Sequence, residues 1–257
     1  AGLTHNHMIS HIGCLIYVFV VGELLRGSEK REALSSALER AARIYGNEPA
    51  WQNYVRLPEI EAESFRRISE ELGDRQFPAG IDLVVKRVIH TTADFSFADT
   101  LLFSEGVVEQ GKEAIRQGAC IVTDTNMALA GINKARLAGF GATARCFMAE
   151  ADVAAEAKER GVTRATVSME RAAALSAERP LILAIGNAPT ALVKIKELMD
   201  TGQLKPALLI AAPVGFVNVV EAKELFVGSS TPHIIARGRK GGSTVAAAIV
   251  NAMLYQI

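Results

Sequence analysis

Apolar residues recur along this chain at two different periods, and the change from one to the other divides it. Between residues 28 and 45, Leu34, Leu38, Ala41 and Ile44 stand at helical spacing, and Gly46 supplies a left-handed stop. Ile60, Phe65, Ile68 and Leu72 predict a second helix over about 60–72, ended by Gly73. After Pro78, Ile81, Val84, Val85, Val88 and Ile89 follow the i, i+3, i+4, i+7, i+8 pattern of one helix face. The β-branched content of Leu83–Ile89 also permits a strand. The helix is preferred, and it sets Arg87 and His90 three apart on one face.

From Glu105 short apolar runs alternate with helical stretches. The pattern predicts helix 106–117, strand Ala119–Thr123, helix 126–138, strand Thr143–Phe147, and helices at about 150–160 and 168–178. It continues with strand Leu181–Ile185, helix 189–201, strand Ala207–Ala211, helix 217–226, strand His233–Ala236 and helix 243–255. Strands that are apolar throughout fit burial on both sides. The predicted class is α/β: a three-layer αβα arrangement with a mainly parallel sheet of about five strands, helices on both faces, and N-terminal helices before it. No internal repeat and no polar tether is visible, so the helical first part and the βα part read as one domain.

The N-terminus departs from this grammar. Residues 1–8 lack an initiating methionine and end in one, and are read as a remnant of recombinant expression. The apolar run Ile9–Val21 is too short to span a bilayer, and no small-residue cleavage pattern follows it. A buried strand or a hydrophobic partner-facing segment is the expectation there.

Composition narrows the function without naming it. Of 257 residues, 49% are hydrophobic and 22% charged, which is ample for a core. Lys+Arg and Asp+Glu both number 28, so bulk charge points to neither nucleic acid nor membrane. Cys14, Cys120 and Cys146 form no CxxC or metal-ligand spacing, and are expected to be reduced, buried thiols of a cytoplasmic protein.

Candidate chemistry gathers after the strands, where open parallel sheets bind ligands. Thr123-Asp124-Thr125-Asn126, Gly186-Asn187-Ala188-Pro189-Thr190, Ala211-Ala212-Pro213-Val214-Gly215-Phe216 and Arg237-Gly238-Arg239-Lys240-Gly241-Gly242-Ser243 follow four of them. Small residues let backbone approach a ligand, and helix N-termini offer N–H groups to anions. There is no GxGxxG after the first strand, no phosphate loop, no HExxH and no GxSxG, so neither a nucleotide cofactor nor a metal is expected. Arg237, Arg239 and Lys240 suit carboxylates or phosphates, or form a solvated basic loop. His5 and His7 fall in the leader, His11 in the odd N-terminal run, and His233 opens a strand as a structural residue. His90 remains, flanked by Arg87, Thr91, Thr92 and Asp94. On residues alone it is either an acid/base group or a satisfied structural histidine.

Residues from about 48 to 257 resemble the precorrin-8X methylmutase family, which includes the cobalt-precorrin-8 methylmutases of corrin biosynthesis. The matching pieces are Glu63-Ser64-Phe65-Arg66-Arg67-Ile68, Arg87-Val88-Ile89-His90, Ile121-Val122-Thr123-Asp124-Thr125-Asn126-Met127 and Gly131-Ile132-Asn133-Lys134. Thr163-Arg164, Ala184-Ile185-Gly186-Asn187-Ala188-Pro189-Thr190-Ala191-Leu192 and Pro213-Val214-Gly215-Phe216-Val217 complete them. The resemblance implies an isomerase that moves a methyl group from C11 to C12 of precorrin-8X or cobalt-precorrin-8, giving hydrobyrinate or cobyrinate without a methyl donor. It implies His90 as proton donor or acceptor, Ser64 and Arg87 as substrate-binding residues, and Arg164 on a substrate carboxylate. It also implies a homodimer in the cytoplasm, with no cofactor, no protein-bound metal, and no nucleic-acid or membrane partner. Residues 1–47 lie outside it as an N-terminal extension, within which residues 9–47 are a remnant of a fused pathway enzyme, an altered N-terminus or a dimer arm. Two other functions stay open, a tetrapyrrole carrier that delivers hydrobyrinate to the next enzyme and a nucleotide-dependent α/β enzyme. Asp94 is a candidate to orient the His90 imidazole.

Overall fold

The computed structural model describes residues 8–27, 30–49 and 57–257, and the chain separates into two compact units, 1–67 and 68–257. In the first unit, α1 (Met8–Leu25) packs on α2 (Lys30–Tyr45) through Ile12, Ile16, Ala37 and Ala41. Of the two readings of Ile9–Val21, a buried strand or a hydrophobic partner-facing segment, the strand gives way to a helix. An isolated strand would leave a row of N–H and C=O groups unpaired, whereas a helix satisfies them internally and needs only small alanines opposite it. Cys14 on α1 is exposed, against the expectation of three buried thiols, while Cys120 and Cys146 are buried. Residues 1–7 of the expected expression remnant lie outside the described residues, and Met8 opens α1. Helix α3 (Leu57–Leu72) begins in the first unit and ends in the second. Among the described residues no helix is long and apolar enough to cross a membrane.

The second unit runs α4 (Ile81–Thr92), α5 (Phe97–Thr100), β1 (Leu101–Phe103), α6 (Val107–Arg116), β2 (Cys120–Thr123), α7 (Asn126–Gly131), α8 (Lys134–Ala138) and β3 (Thr143–Arg145). It continues with α9 (Ala151–Arg160), α10 (Arg164–Leu175), β4 (Leu181–Ile185), α11 (Pro189–Asp200), β5 (Leu208–Ala211), α12 (Val219–Glu224), β6 (His233–Ala236) and α13 (Ser243–Leu254). The helix reading of 81–89 holds, and its i, i+3, i+4 positions Val84, Val85, Val88 and Ile89 are buried. The sheet has six strands in the order β1-β6-β5-β4-β2-β3, parallel except for β1. The strand beyond the expected five is β1, an antiparallel edge whose three residues are too few to show a period.

Strand side chains alternate between two cores, as the pleat requires. Ile121, Ile182, Ala184, Leu208, Ile210 and Ile234 face α4, α6 and α13. Cys120, Val122, Leu181, Leu183, Ile185, Leu209 and Ile235 face α9, α10, α11 and α12. This is the predicted three-layer αβα sandwich. Helix α13 is buried on nearly every side, and its alanines Ala246, Ala247, Ala248 and Ala252 let neighbouring elements approach closely. The expected helix 126–138 is broken in two. Asn251 on α13 accepts the Asn133 N–H at 3.0 Å and donates to the Gly131 carbonyl at 2.8 Å, so tertiary bonds replace two helical ones. Helix α10 starts at Arg164 rather than at about 168, because the Thr163 hydroxyl accepts the Thr166 N–H at 3.1 Å and caps it.

The strand connections change direction between β2 and β4: β3 lies on one side and β4, β5 and β6 on the other. At that point the backbone of Gly186 meets that of Ser243 so closely that a Cβ would lie 2.6 Å from Ser243 Cα. Gly186→Ala is therefore expected to cost about 1–3 kcal/mol through backbone displacement. Thermal unfolding of the variant checks this, and a melting temperature equal to wild type would show that the two loops can separate freely.

Candidate active site

The carboxyl edge of the parallel strands is built by four loops that lock together. Asp124, at the end of β2, is fully buried. Its carboxylate accepts the N–H groups of Gly186 at 2.8 Å, Asn187 at 2.8 Å and Ala188 at 2.6 Å. Burial pushes its pKa up, and the three N–H donors oppose that shift. The N–H nest leading into α11 thus holds an internal carboxylate where many α/β folds hold a phosphate. Next to it the Thr125 hydroxyl bonds Ser243 Oγ at 2.7 Å. Gly242 N–H donates to Ala212 O at 2.8 Å and Gly215 N–H to Arg239 O at 3.1 Å, which ties the β5 loop to the β6 loop. Gly241, at φ 158°, lies so close to the Ala212 and Pro213 carbonyls that no side chain fits.

On one side of this edge stands α4, antiparallel to α13. Its C-terminal end reaches the β6 loop through Asp94 and Lys240, and its N-terminal end reaches the other end of α13 through Gly80 O and Gln256. With Val84, Val85, Val88 and Ile89 packed inward, Arg87 and an exposed His90 share the outer face. The Arg87 guanidinium lies 5.2 Å from the Tyr255 ring centroid, and Arg136 lies 5.6 Å from the same ring. Arg136 also donates to Leu254 O at 3.0 Å, and Asn133 donates to the Tyr255 hydroxyl at 3.3 Å. Two cations and a phenol are thereby gathered beside the His90 helix.

Helix α4 ends abruptly. Ala93 takes a left-handed conformation at φ 53°, unusual for a residue with a Cβ, and donates to Ile89 O at 2.7 Å. The turn directs Asp94 to Lys240, with Nζ to Oδ2 at 2.7 Å, and Lys240 also donates to Ser96 Oγ at 2.9 Å. Lys240 and Ser96 hold the Asp94 pKa below the usual carboxylate range. The candidate orienter of the imidazole is thus engaged by the basic loop.

Arg164 opens α10 in the opposite helical layer and donates to Met148 O at 3.2 Å. The Thr163 hydroxyl bonds Thr190 Oγ1 at 3.2 Å, which puts the start of α10 beside the start of α11 at the same sheet edge. Ser64 stands on α3 within the first unit, next to Glu63. Hydrogen bonds from Arg66 and then Arg67 hold the Glu63 carboxyl down at about 2. His233 is buried, with Nδ1 2.8 Å from Thr231 O, in keeping with a structural role. Arg237 pairs with Glu224 at 3.0 Å, and the Arg239 guanidinium lies 5.4 Å from the Phe216 ring. Phe216 and Val217 are 83% and 76% exposed, so the β5 loop adds an apolar wall to this edge.

Residue-level reading missed Lys223, Arg136 and Tyr255. Lys223 is fully buried, and Nζ donates to Gly238 O at 2.8 Å and Lys240 O at 2.9 Å. A signal was present: Val219, Ala222, Lys223 and Phe226 recur at helical spacing, which places a lysine on an apolar stripe.

Removing the Asp124 carboxylate should leave three inward-facing N–H groups unsatisfied. Asp124→Ala is expected to lose about 3 kcal/mol in urea unfolding. Asp124→Asn should recover less than half of that, since its amide turns a donor towards donors. The Asp94–Lys240 pair makes stability depend on pH. A lowered carboxylate pKa contributes stability at neutral pH that is lost as pH falls through it. Asp94→Asn should therefore cost about 0.5 kcal/mol at pH 7. The gap from wild type should close as pH drops below the usual carboxylate range, as followed by thermal melts at a pH series.

Comparison with known proteins agrees with this architecture. The family model described as precorrin-8X methylmutase matches residues 59–256. The cobalt-precorrin-8 methylmutase of Salmonella typhimurium is 43% identical over 80% of this chain and 98% of its own length. The precorrin-8X methylmutase of Pseudomonas aeruginosa is 40% identical over 76% of this chain and 91% of its own length. The solved precorrin-8X methyl mutase from Thermus thermophilus superposes with a TM-score of 0.72 at 40% identity, covering 77% of this chain and 95% of that one. The chain belongs to the precorrin-8X methylmutase family.

Proposed function

We propose that His90 is the proton donor and acceptor in the methyl migration that this enzyme catalyses on precorrin-8X or cobalt-precorrin-8. The enzyme is an isomerase, an intramolecular methylmutase. The methyl group leaves C11 and joins C12 of the same macrocycle, so atoms balance without a methyl donor. A proton placed on the macrocycle favours the tautomer able to rearrange, and its return restores the resting imidazole. Histidine suits both directions near neutral pH. The observation that carries the reading is the face of α4. Its inner side is locked in the core, and Arg87 and exposed His90 stand together on its outer side.

The substrate rim carries acetate and propionate groups, which arginine forks recognise well. Arg87 holds the substrate in this reading and Arg164 binds a carboxylate from the opposite layer, while Ser64 is a substrate-binding candidate on the first unit. The exposed side chains of Val214, Phe216 and Val217 supply a wall for the flat ring. Cobalt, where present, belongs to the substrate. Residues 1–47 form an extension to a methylmutase domain of 48–257, consistent with a family match that begins at residue 59. The enzyme works in the cytoplasm as a homodimer, with no nucleic-acid or membrane partner.

Conversion of cobalt-precorrin-8 or precorrin-8X to the corrin chromophore is followed by absorption. His90→Ala is expected to lower kcat by about 10²–10⁴ with little change in KM. Full turnover by a folded His90→Ala protein would remove His90 from the chemistry. Arg87→Ala should instead act mainly on KM, raising it about tenfold for the loss of a charge-assisted bond. Repeated turnover of excess substrate by the wild type excludes a pure carrier, which would bind product stoichiometrically.

A further inference from the structure

We propose that Lys223 is a positioning residue of the active site, whose buried ammonium gathers the Arg237–Gly242 loop and delivers Lys240 to Asp94 at the end of the His90 helix. The proposal rests on the α4 reading above for its link to catalysis. Its physical basis is separate from that reading.

Lys223 is the one lysine or arginine that is buried among the described residues. Its ammonium donates to the carbonyls of Gly238 and Lys240, two residues apart in the same loop. The intervening Arg239 carbonyl accepts the Gly215 N–H, so consecutive carbonyls of the loop are claimed alternately from α12 and from the β5 loop. Glu224, the next residue on α12, holds the start of the loop through Arg237 at 3.0 and 3.2 Å. Helix α12 thus grips the loop from within and without. Arg239 and Lys240 are left to reach Phe216 and Asp94 respectively.

A loop that needed only support could rest on a leucine or methionine. Burying an ammonium without a carboxylate partner is costly. Here burial alone pulls the Lys223 pKa down to about 8, so the group is mostly charged near neutrality. The cost is offset at the two carbonyls, which would otherwise be turned inward without donors. Gly238, at φ 75°, lets the loop curl around the ammonium. The ammonium therefore sets the path of the loop, and that path decides where the Lys240 side chain emerges. Lys240 then meets Asp94 one turn beyond His90.

The test uses the full chain with cobalt-precorrin-8 as substrate and compares K223M, K240A and the double variant. K223M is expected to lower kcat about tenfold, with KM changed less than threefold. K240A should give a similar loss. The double variant should be no worse than K223M, because both remove one delivery route. Hydrogen exchange of the amides at residues 238–242 and 215 should accelerate in K223M, with the β2 and β4 amides unchanged. Wild-type kcat in K223M, losses that multiply in the double variant, or unaltered exchange in the loop would each overturn the proposal. If K223M does not fold, K223Q carries the same comparison, and failure of both to fold would identify a fold determinant and overturn it. If His90→Ala keeps full turnover while K223M and K240A remain coupled, the assignment of His90 fails and that of Lys223 stands.

Discussion

A carboxylate buried at the point where the sheet changes direction is the constraint on which the rest of this molecule depends. Asp124 ends β2, and the three N–H groups it accepts begin the loop after β4. Those strands are neighbours in the sheet and distant in the chain. With the loop so held, Gly186 can lie against Ser243, and Thr125 can bond the same serine. The start of α13 is fixed in this way, and with it the glycine pair whose N–H and backbone pack on Ala212. One ionic group thereby sets the relative heights of three loops that come from separate strands.

The same logic reaches the histidine. Helix α13 is largely apolar and rich in alanine, so α4 sits on it along its buried face. The start of α13 is set by the loops and the end of α4 is set by Lys240. The outer face of α4 therefore takes its position from contacts at both of its ends. The proton exchange proposed for His90 gains from such a support, because proton transfer is sensitive to small displacements. Exposure and rigidity, usually in conflict, are combined here by giving one helix two unlike faces.

Much of this was legible in the residues. Strands Leu181–Ile185 and His233–Ala236 coincide with their apolar runs, since a buried parallel strand is apolar throughout and is bounded by turn residues. The pairing of Arg87 with His90 followed from helical spacing. Three features did not follow, each for a physical reason. The run Ile9–Val21 has no alternation and no clear helical stripe, so periodicity could not tell strand from helix. The break between α7 and α8 is imposed by Asn251, more than a hundred residues away, and no local propensity encodes it. The bonds of Asp124 and Lys223 to loop backbone are likewise long-range. A carboxylate in a loop looks like a solvated group until the topology encloses it, and the apolar stripe that carries Lys223 marks its burial but not the loop it bonds.

The internal carboxylate has a consequence for selectivity among anions. In a cell, inorganic phosphate and nucleotides compete for any cradle of backbone N–H groups. Here that cradle is filled by Asp124 from within the protein. Negative charge on a ligand is then left to side chains rather than to that cradle. A cradle of the kind often used for phosphate is here occupied from within.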